Sequence, residues 1–316
     1  MKKIVLIFTT LLILLTGCSS SAYETYSKAL EKTEGVSSGK VKMTQEAHVE
    51  FNTEGLDKKV LEELRKWEKF NVDMECTFDK EQEVSITNIY GEFYDFGIEG
   101  KLYEQKNNLY VVTPLLPKVL VLKGDDLKGE EIEKLEKQFL IKDFKDFEKI
   151  WKEVIDRENV SKLGNIVIST PEGDIKAKEF HITLTKEDIM PLMIEGTKMF
   201  NQIMIEQMKA NNISVDPKEI EEQCKKAIEE IDFEKIYHRA YIDKDGFVVE
   251  EETHLIINFP STKGGYIKRI DFKGNVQNWD LSKQVKAIIP ELTDENTMTI
   301  EELKESGFNK KLKGGA

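Results

Sequence analysis

A chain of 316 residues with 59 acidic and 46 basic side chains has a formal charge of −13, which argues against nucleic acid as a partner, because phosphates require a basic surface. Its 40% hydrophobic content, with 16 Phe and 9 Tyr, excludes a disordered chain and allows one large domain or two smaller ones. Anionic lipid headgroups should weakly repel so acidic a body.

The N-terminus has the pattern of an export signal. Lys2 and Lys3 precede an apolar run over 4–15 that ends in small residues, as cleaved signals do. The run is too short to cross a bilayer, which takes about twenty residues in a helix. Residues 1–17 are therefore predicted to be a signal peptide.

The segment Leu15-Thr16-Gly17-Cys18 resembles the bacterial lipobox. That resemblance implies cleavage before Cys18 and a diacylglyceryl thioether on its sulfur. The chain would then be held at the outer face of the cell membrane by acyl chains, with membrane lipid as its partner. Residues 18–21 would form a short tether. The alternative is an ordinary cleaved signal with a chance cysteine.

The apolar periodicity after the tether predicts a helix and then a sheet. In the first strand, Val41, Met43 and Val49 face one way and charged residues the other, which is typical of an antiparallel sheet with one solvated face. The predicted elements in this part are a helix over 22–33, strands over 39–51, 70–78, 84–90, 93–103 and 109–113, and a helix over 56–67.

Helices occupy much of the predicted middle of the chain, and the last third returns to strands. Thr185 and Asp188 form a predicted capping box at the start of one helix. The predicted elements are helices over 130–139, 143–155, 185–210 and 216–231, and strands over 166–169, 175–184, 236–242, 247–259 and 266–272. The stretch 285–289 either adds a strand or ends the fold.

This order of elements predicts an α+β fold, in which helices cover one face of an antiparallel sheet. Glycines within the strands allow bulges, so the sheet is predicted to be curved. Residues 22–290 are predicted to form a single domain, with residues 291–316 as a C-terminal tail.

Two segments carry a family resemblance. Residues 180–189 (FHITLTKEDI) run from a strand into a capped helix, and residues 241–249 (YIDKDGFVV) form a hairpin. With the lipobox and the long amphipathic strands, they resemble the LolA/LppX-type lipoprotein fold. That resemblance implies a half-barrel whose concave side is closed by helices around an apolar cavity for a lipid or another amphiphile.

The remaining cysteines allow two interpretations. Exported proteins meet oxidising conditions, so Cys76 and Cys224 could form a disulfide. Each lies among apolar residues, however, and free cysteine behaves as a small buried hydrophobe. Two buried thiols are the favoured interpretation.

Catalytic and metal-binding patterns are lacking in the sequence. His48, His181, His238 and His254 lie in different predicted strands without a short-gap partner, so they are predicted to be surface histidines. Neighbouring members of the run 250–252 (EEE) point to opposite faces of a strand, so one or two of these carboxylates are predicted to point outward and be solvated. We therefore predict that the chain is not an enzyme and needs no metal and no cofactor.

The helix after residue 185 is rich in methionine, with five between 190 and 208. Methionine adapts to variable apolar ligands, but it is also ordinary core filler, which is the favoured interpretation. The candidate ligand contacts are Met190, Met193, Met199, Phe200 and Met204 from the helix and Met43, Met74, Tyr90, Phe96 and Tyr110 from the strands.

The leading hypothesis is a membrane-anchored extracytoplasmic lipoprotein that binds a lipid or other amphiphile without catalysis. One alternative is an envelope-structural or protein-interaction lipoprotein with a filled core. Another is a solute-binding component of a transporter, although the alternating strand–helix order of two α/β lobes is missing.

Overall fold

The structure is a computed structural model that describes residues 21–93, 96–123, 143–194, 222, 226, 229–259, 267–293 and 295–306. Twelve described strands form one sheet. They are β1 (Ser38–Phe51), β2 (Lys69–Asp79), β3 (Val84–Phe93), β4 (Phe96–Gln105), β5 (Asn108–Val112), β6 (Val119–Leu122), β7 (Val160–Thr170), β8 (Gly173–Ile182), β9 (Asp232–Asp243), β10 (Val248–Asn258), β11 (Ile267–Trp279) and β12 (Thr297–Met298).

The described helices are fewer and shorter. They are α1 (Ala22–Glu34), α2 (Lys58–Arg65), α3 (Asp143–Val154), α4 (described over 186–194) and α5 (Ile300–Glu305). Among them, none combines the length and the apolar character that crossing a bilayer demands.

The strand order is β12-β6-β5-β4-β3-β2-β1-β11-β10-β9-β8-β7, so the sheet is open, with β12 and β7 at its two edges. Every pair is antiparallel except β12 with β6. The central pairing of β1 with β11 matches Met43 to Val276 and joins the first and last thirds of the chain. The predicted α+β class, a curved antiparallel sheet with helices on one face, is confirmed.

A packed core lies under α1 and α3. Ser21 caps α1, because its hydroxyl accepts a hydrogen bond from the backbone N–H of Glu24 at 3.1 Å. Tyr26 and Ala29 of α1 are buried against side chains of β8 and β9. Phe180 is fully buried there, and burial of such a side chain contributes roughly 1.5–3 kcal/mol to folding.

The C-terminal region departs from the prediction. β11 continues to Trp279, seven residues beyond the predicted end of that strand, and 285–289 is irregular. Residues 297–298 add β12 alongside β6, and α5 follows, so the fold does not end at residue 290 as predicted. β6 and β12 were not predicted because strands of four and two residues show too little periodicity.

Candidate ligand-binding cavity

An apolar cavity of about 830 Å³ lies between the concave face of the sheet and the helices α3 and α4. Strands β1, β9, β10 and β11 form its floor. The side chains and backbone that line it are those of Met43, Gln45, Trp151, Leu184, Ile189, Leu192, Met193, Ile236, Tyr237, His238, Glu251, Thr253, Leu255, Phe259, Ile270, Phe272, Gly274, Asn275 and Val276.

The floor consists of rows of residues that the strand register aligns. One row is apolar and contains Ala47, Phe272, Leu255 and Ile236. The next is mainly polar and contains Gln45, Gly274, Thr253 and His238. The third contains Met43, Val276, Glu251 and Ala240.

Gly274 leaves room in the middle of this floor. A Cβ atom at this position would lie 3.4 Å from the ring of Phe272 and 4.0 Å from the Cβ of Thr253. A larger side chain would therefore extend into the cavity from the centre of β11. The absence of a side chain at this one position helps to keep the cavity open.

The start of α4 is fixed by its cap, and this positions part of the cavity roof. Asp188 accepts hydrogen bonds from the backbone N–H and the hydroxyl of Thr185 at 2.8 and 2.9 Å. The hydroxyl of Thr185 in turn accepts from the N–H of Asp188, which confirms the predicted capping box. Ile189, Leu192 and Met193 then follow at helical spacing and face the cavity.

A cluster of polar side chains stands at the helix side of this floor. The Nδ1 atom of His238 lies 2.9 Å from the hydroxyl of Thr253, and its Nε2 atom lies 3.4 Å from Oε1 of Glu251. The Tyr26 hydroxyl of α1 donates to the same Oε1 at 3.2 Å. The ring of Trp151 meets the His238 ring edge-on, with centroids 5.0 Å apart.

Burial governs the electrostatics of the cluster. His238 is 5% exposed, and Glu251 keeps 22% of its side-chain surface. Burial raises the pKa of Tyr26 well above its ordinary value, and the negative charge of Glu251 adds to that effect. The phenol therefore stays protonated and acts as a hydrogen-bond donor to the carboxylate.

The structure brings together some of the predicted ligand contacts. Met43 and Met193 line the cavity. Met74 pairs with Met43 on the neighbouring strand and lies on the same face. Met190 packs beside the cavity against Ile231 and Ile257. Met199, Phe200 and Met204 lie outside the described residues.

Three other candidate contacts lie away from the cavity. Tyr90 is opposite Asp73, and Tyr110 is opposite Tyr103, which puts both tyrosines on the face of the sheet turned away from Met43. Phe96 is 55% exposed at the start of β4. The strand register therefore separates the two tyrosines from the cavity, whereas Phe96 lies on the same face as Met43 but on β4, which β2 and β3 separate from β1.

Sequence reasoning missed the polar cluster. His238 is buried, so the prediction of a surface histidine is wrong for it. The prediction that one or two of the glutamates at 250–252 are simply solvated is also wrong: Glu250 is buried and accepts from Asn275 at 2.6 Å, and Glu252 accepts from Tyr241 at 3.1 Å. A usable signal was the alternation of Glu251 with apolar residues at 255 and 257 on one face of a long strand.

Of the cysteines, Cys76 is a free, half-buried thiol in β2. Cys18 and Cys224 lie outside the described residues, as does the predicted helix over 130–139. No group of three or more His, Cys, Asp or Glu side chains suited to a metal ion occurs within the described ranges.

Comparison with known proteins gives only distant likenesses. No protein-family model matches the chain, and no curated protein matches it. Among solved structures, the chain is similar to a LolA superfamily protein from Nitrosomonas europaea, with 9% identity, 88% of this chain and 97% of the other covered, and a TM-score of 0.21. It is also similar to an uncharacterized conserved protein from Thermus thermophilus, with 8% identity, 86% and 98% covered, and a TM-score of 0.26.

A third likeness is to a beta-barrel-like protein of a domain of unknown function from Brucella abortus. Identity is 10%, the match covers 77% of this chain and 98% of the other, and the TM-score is 0.19. The fold described above rests on the strand order and register rather than on these likenesses.

Proposed function

We propose that the protein is a lipoprotein, anchored through Cys18 at the outer face of the cell membrane, that binds an apolar or amphipathic ligand without catalysis. The observation that carries the ligand-binding part of this proposal is the cavity of about 830 Å³ under α3 and α4, and the lipobox-like segment 15–18 supports the anchor. Its volume falls within the roughly 300–1,000 Å³ typical of small-molecule sites, which are also mostly apolar with a few convergent polar groups.

The cavity favours a ligand over a purely structural function. An interaction protein with a filled core, the main alternative, would have large side chains at the centre of the floor. Gly274 stands there instead, between Gln45 and Thr253. Adaptable methionines, Met43 and Met193, line the floor and the roof.

The site supports a catalytic function less well than a binding function, for a chemical reason. Thr253, His238 and Glu251 do form a sequence of hydroxyl, imidazole and carboxylate. Acyl transfer also needs N–H donors free to stabilise an oxyanion. Thr253 lies inside β10, which pairs with β9 on one side and β11 on the other, so the backbone N–H groups around it belong to the sheet.

The proposed binding is tested with an environment-sensitive apolar dye. The unsubstituted protein should enhance dye fluorescence, and long-chain lipid should displace the dye. Gly274→Leu should reduce dye affinity at least about tenfold, because its side chain occupies the cavity floor. The matched control is Gly164→Leu in β7, where a Cβ meets nothing within 4 Å. Equal dye binding by both variants would contradict the proposal.

The anchor is tested separately. Cys18→Ser should abolish incorporation of a labelled fatty acid and leave the protein with its signal peptide uncleaved. Labelling of the Cys18→Ser variant to the level of the unsubstituted chain would contradict lipidation at this residue.

A further inference from the structure

We propose that the cavity selects amphiphiles whose polar end is a neutral or cationic hydrogen-bond donor, a hydroxyl or an amine, and rejects anionic head groups. This inference rests on the proposed ligand-binding function and specifies its ligand class. It is carried by the charge and the unfilled hydrogen-bonding capacity of the polar cluster formed by Tyr26, His238, Glu251 and Thr253.

The charged groups in the described part of the cavity lining are acidic only. Glu251 has the one carboxylate among the described residues that line the cavity, and no described lining residue is Lys or Arg. Arg239, the nearest arginine along β9, lies on the opposite face and pairs with Glu179 at 3.0 Å. An anionic head group would thus be buried near a second negative charge, which costs more in an apolar site than in water.

Glu251 retains capacity to accept a hydrogen bond. Both of its described contacts, from Tyr26 and with His238, involve Oε1. No described residue bonds Oε2, and 22% of the side chain remains exposed. A ligand hydroxyl or ammonium can donate to this oxygen, whereas an ionised carboxylate ligand has no proton to give.

His238 provides a second incomplete contact. Its Nε2 atom is buried and makes no hydrogen bond of good geometry, although Oε1 of Glu251 is 3.4 Å away. Buried polar atoms are rarely left without a partner. Because this nitrogen faces Oε1 of Glu251 inside the protein, Oε1 stays on the protein side of the carboxylate, and the contact with a ligand donor falls to Oε2.

The remaining polar positions suit the same kind of head group. Gln45 and Thr253 stand on either side of Gly274 in one register row, and both are neutral. The rows around them are largely apolar and can hold a hydrocarbon chain. The site therefore combines an apolar chamber with one polar end, where Glu251 is the only fixed negative charge among the described lining residues.

The test compares three ligands that share one chain: dodecanol, dodecylamine and dodecanoate. The full-length protein is held in a zwitterionic amphipol rather than in a maltoside detergent, whose hydroxyl-bearing head group would itself compete for the site. Each ligand is added at neutral pH, and native mass spectrometry measures the bound fraction. That fraction is divided by the free ligand concentration measured by equilibrium dialysis, so that the three ligands can be compared in one protein.

We expect dodecanol and dodecylamine to bind at least about tenfold better than dodecanoate, since burying like charges is disfavoured. Glu251→Gln should bring dodecanoate to within about twofold of dodecanol. The matched control, Glu252→Gln, changes the next residue of β10, whose side chain faces the opposite side and accepts from Tyr237 and Tyr241. It should leave the ligand ratios unchanged.

Dodecanoate binding that equals or exceeds dodecanol binding in the unsubstituted protein would overturn the inference. This comparison does not depend on whether a substituted protein folds. An unchanged ratio in folded Glu251→Gln would also overturn it. Binding of none of the three ligands would overturn the proposed function and this inference with it, which distinguishes the two failures.

Discussion

The two halves of the sheet differ in how their apolar side chains are packed. In β8–β10, residues such as Phe180, Ile182 and Ala240 are fully buried beneath α1 and α3. In β2–β6, none of the described hydrophobic side chains is fully buried, although the same alternation of apolar and polar residues runs along the strands. Alternation thus determines which side chains share a face, and in β8–β10 the packing of the described helices α1 and α3 makes that face a core.

The cavity occupies the boundary between these halves. Its floor comprises β9 and β10 from the packed half and β11 and β1 at the centre of the sheet. Side chains from α3 and α4 close it on one side. Among the described elements, the hollow therefore lies beside the part of the sheet that α1 and α3 pack against.

The largest expected effect is a difference in how much a core substitution costs in the two halves of the sheet. Phe180→Ala removes a fully buried ring and should lower the free energy of unfolding by about 3–5 kcal/mol. Met74→Ala, at a half-buried position of β2, should cost less than about 1.5 kcal/mol. Denaturant unfolding of both variants measures the contrast. Equal losses would show that the halves do not differ as described.

Removal of the Tyr26 hydroxyl tests how the packed half supports the cavity. Tyr26→Phe should cost about 1–2 kcal/mol at neutral pH, because it removes a donor to the buried side of Glu251. The folded-state pKa of Tyr26 is raised, so its contribution is complete below the ordinary tyrosine pKa of about 10 and is lost as the pH rises through the folded-state value.

The stability difference between Tyr26→Phe and the unsubstituted protein should therefore narrow above about pH 10. Urea titrations at pH 7 and pH 11 provide the measurement. Tyr241, whose pKa burial raises to about 12, lies on the other face and is a parallel case, so the stability difference between Tyr241→Phe and the unsubstituted protein should also narrow above about pH 10. A difference that stays constant with pH would contradict the proposed burial of the phenol.

The smallest effect concerns the junction of β1 and β11. Asp280 follows β11 and pairs with Lys283 at 2.9 Å and with Lys40 of β1 at 3.0 Å. The hydrogen bond from Lys283 lowers the pKa of Asp280, with Lys40 adding to the effect against the opposing effect of burial. Because Lys283 is largely exposed, Asp280→Asn should cost only about 0.5–1 kcal/mol at pH 7.

The sign of this pH dependence is opposite to that of Tyr26. A carboxyl whose folded-state pKa is lowered stabilises the fold above its ordinary value of 3.8, and the contribution disappears as the pH falls through the lower folded-state value. Asp280→Asn and the unsubstituted protein should thus converge in stability below about pH 3 in urea unfolding. If the two proteins still differ in stability at low pH, the ion pairs of Asp280 are not the source of the stability difference.

The fold was more predictable than the site, for physical reasons. α1 and β1 have long, regular periodicity, so the sequence predicts them within one or two residues of their observed bounds. The candidate site depends instead on contacts between residues far apart in the chain. Tyr26 and Glu251 are separated by 225 positions, and their hydrogen bond follows from the way α1 packs across β10.

The polar cluster illustrates the same limit. Glu250, Glu251 and Glu252 are identical in type, yet only Glu251 faces the cavity, because neighbouring residues of a strand point to opposite sides. Which side holds the cavity depends on the register of four strands. Without that register, the sequence gives no reason to choose one of the three glutamates over the others as the residue that faces the cavity.

The occupancy of the cavity is tested most directly by a native mass spectrum of the protein purified from its own membrane. We predict added mass from a small apolar or amphipathic molecule, lost in Gly274→Leu and kept in Gly164→Leu. A spectrum with only the polypeptide and its covalent modification, together with no uptake of added dodecanol, would contradict the central claim that the space under α3 and α4 receives a ligand.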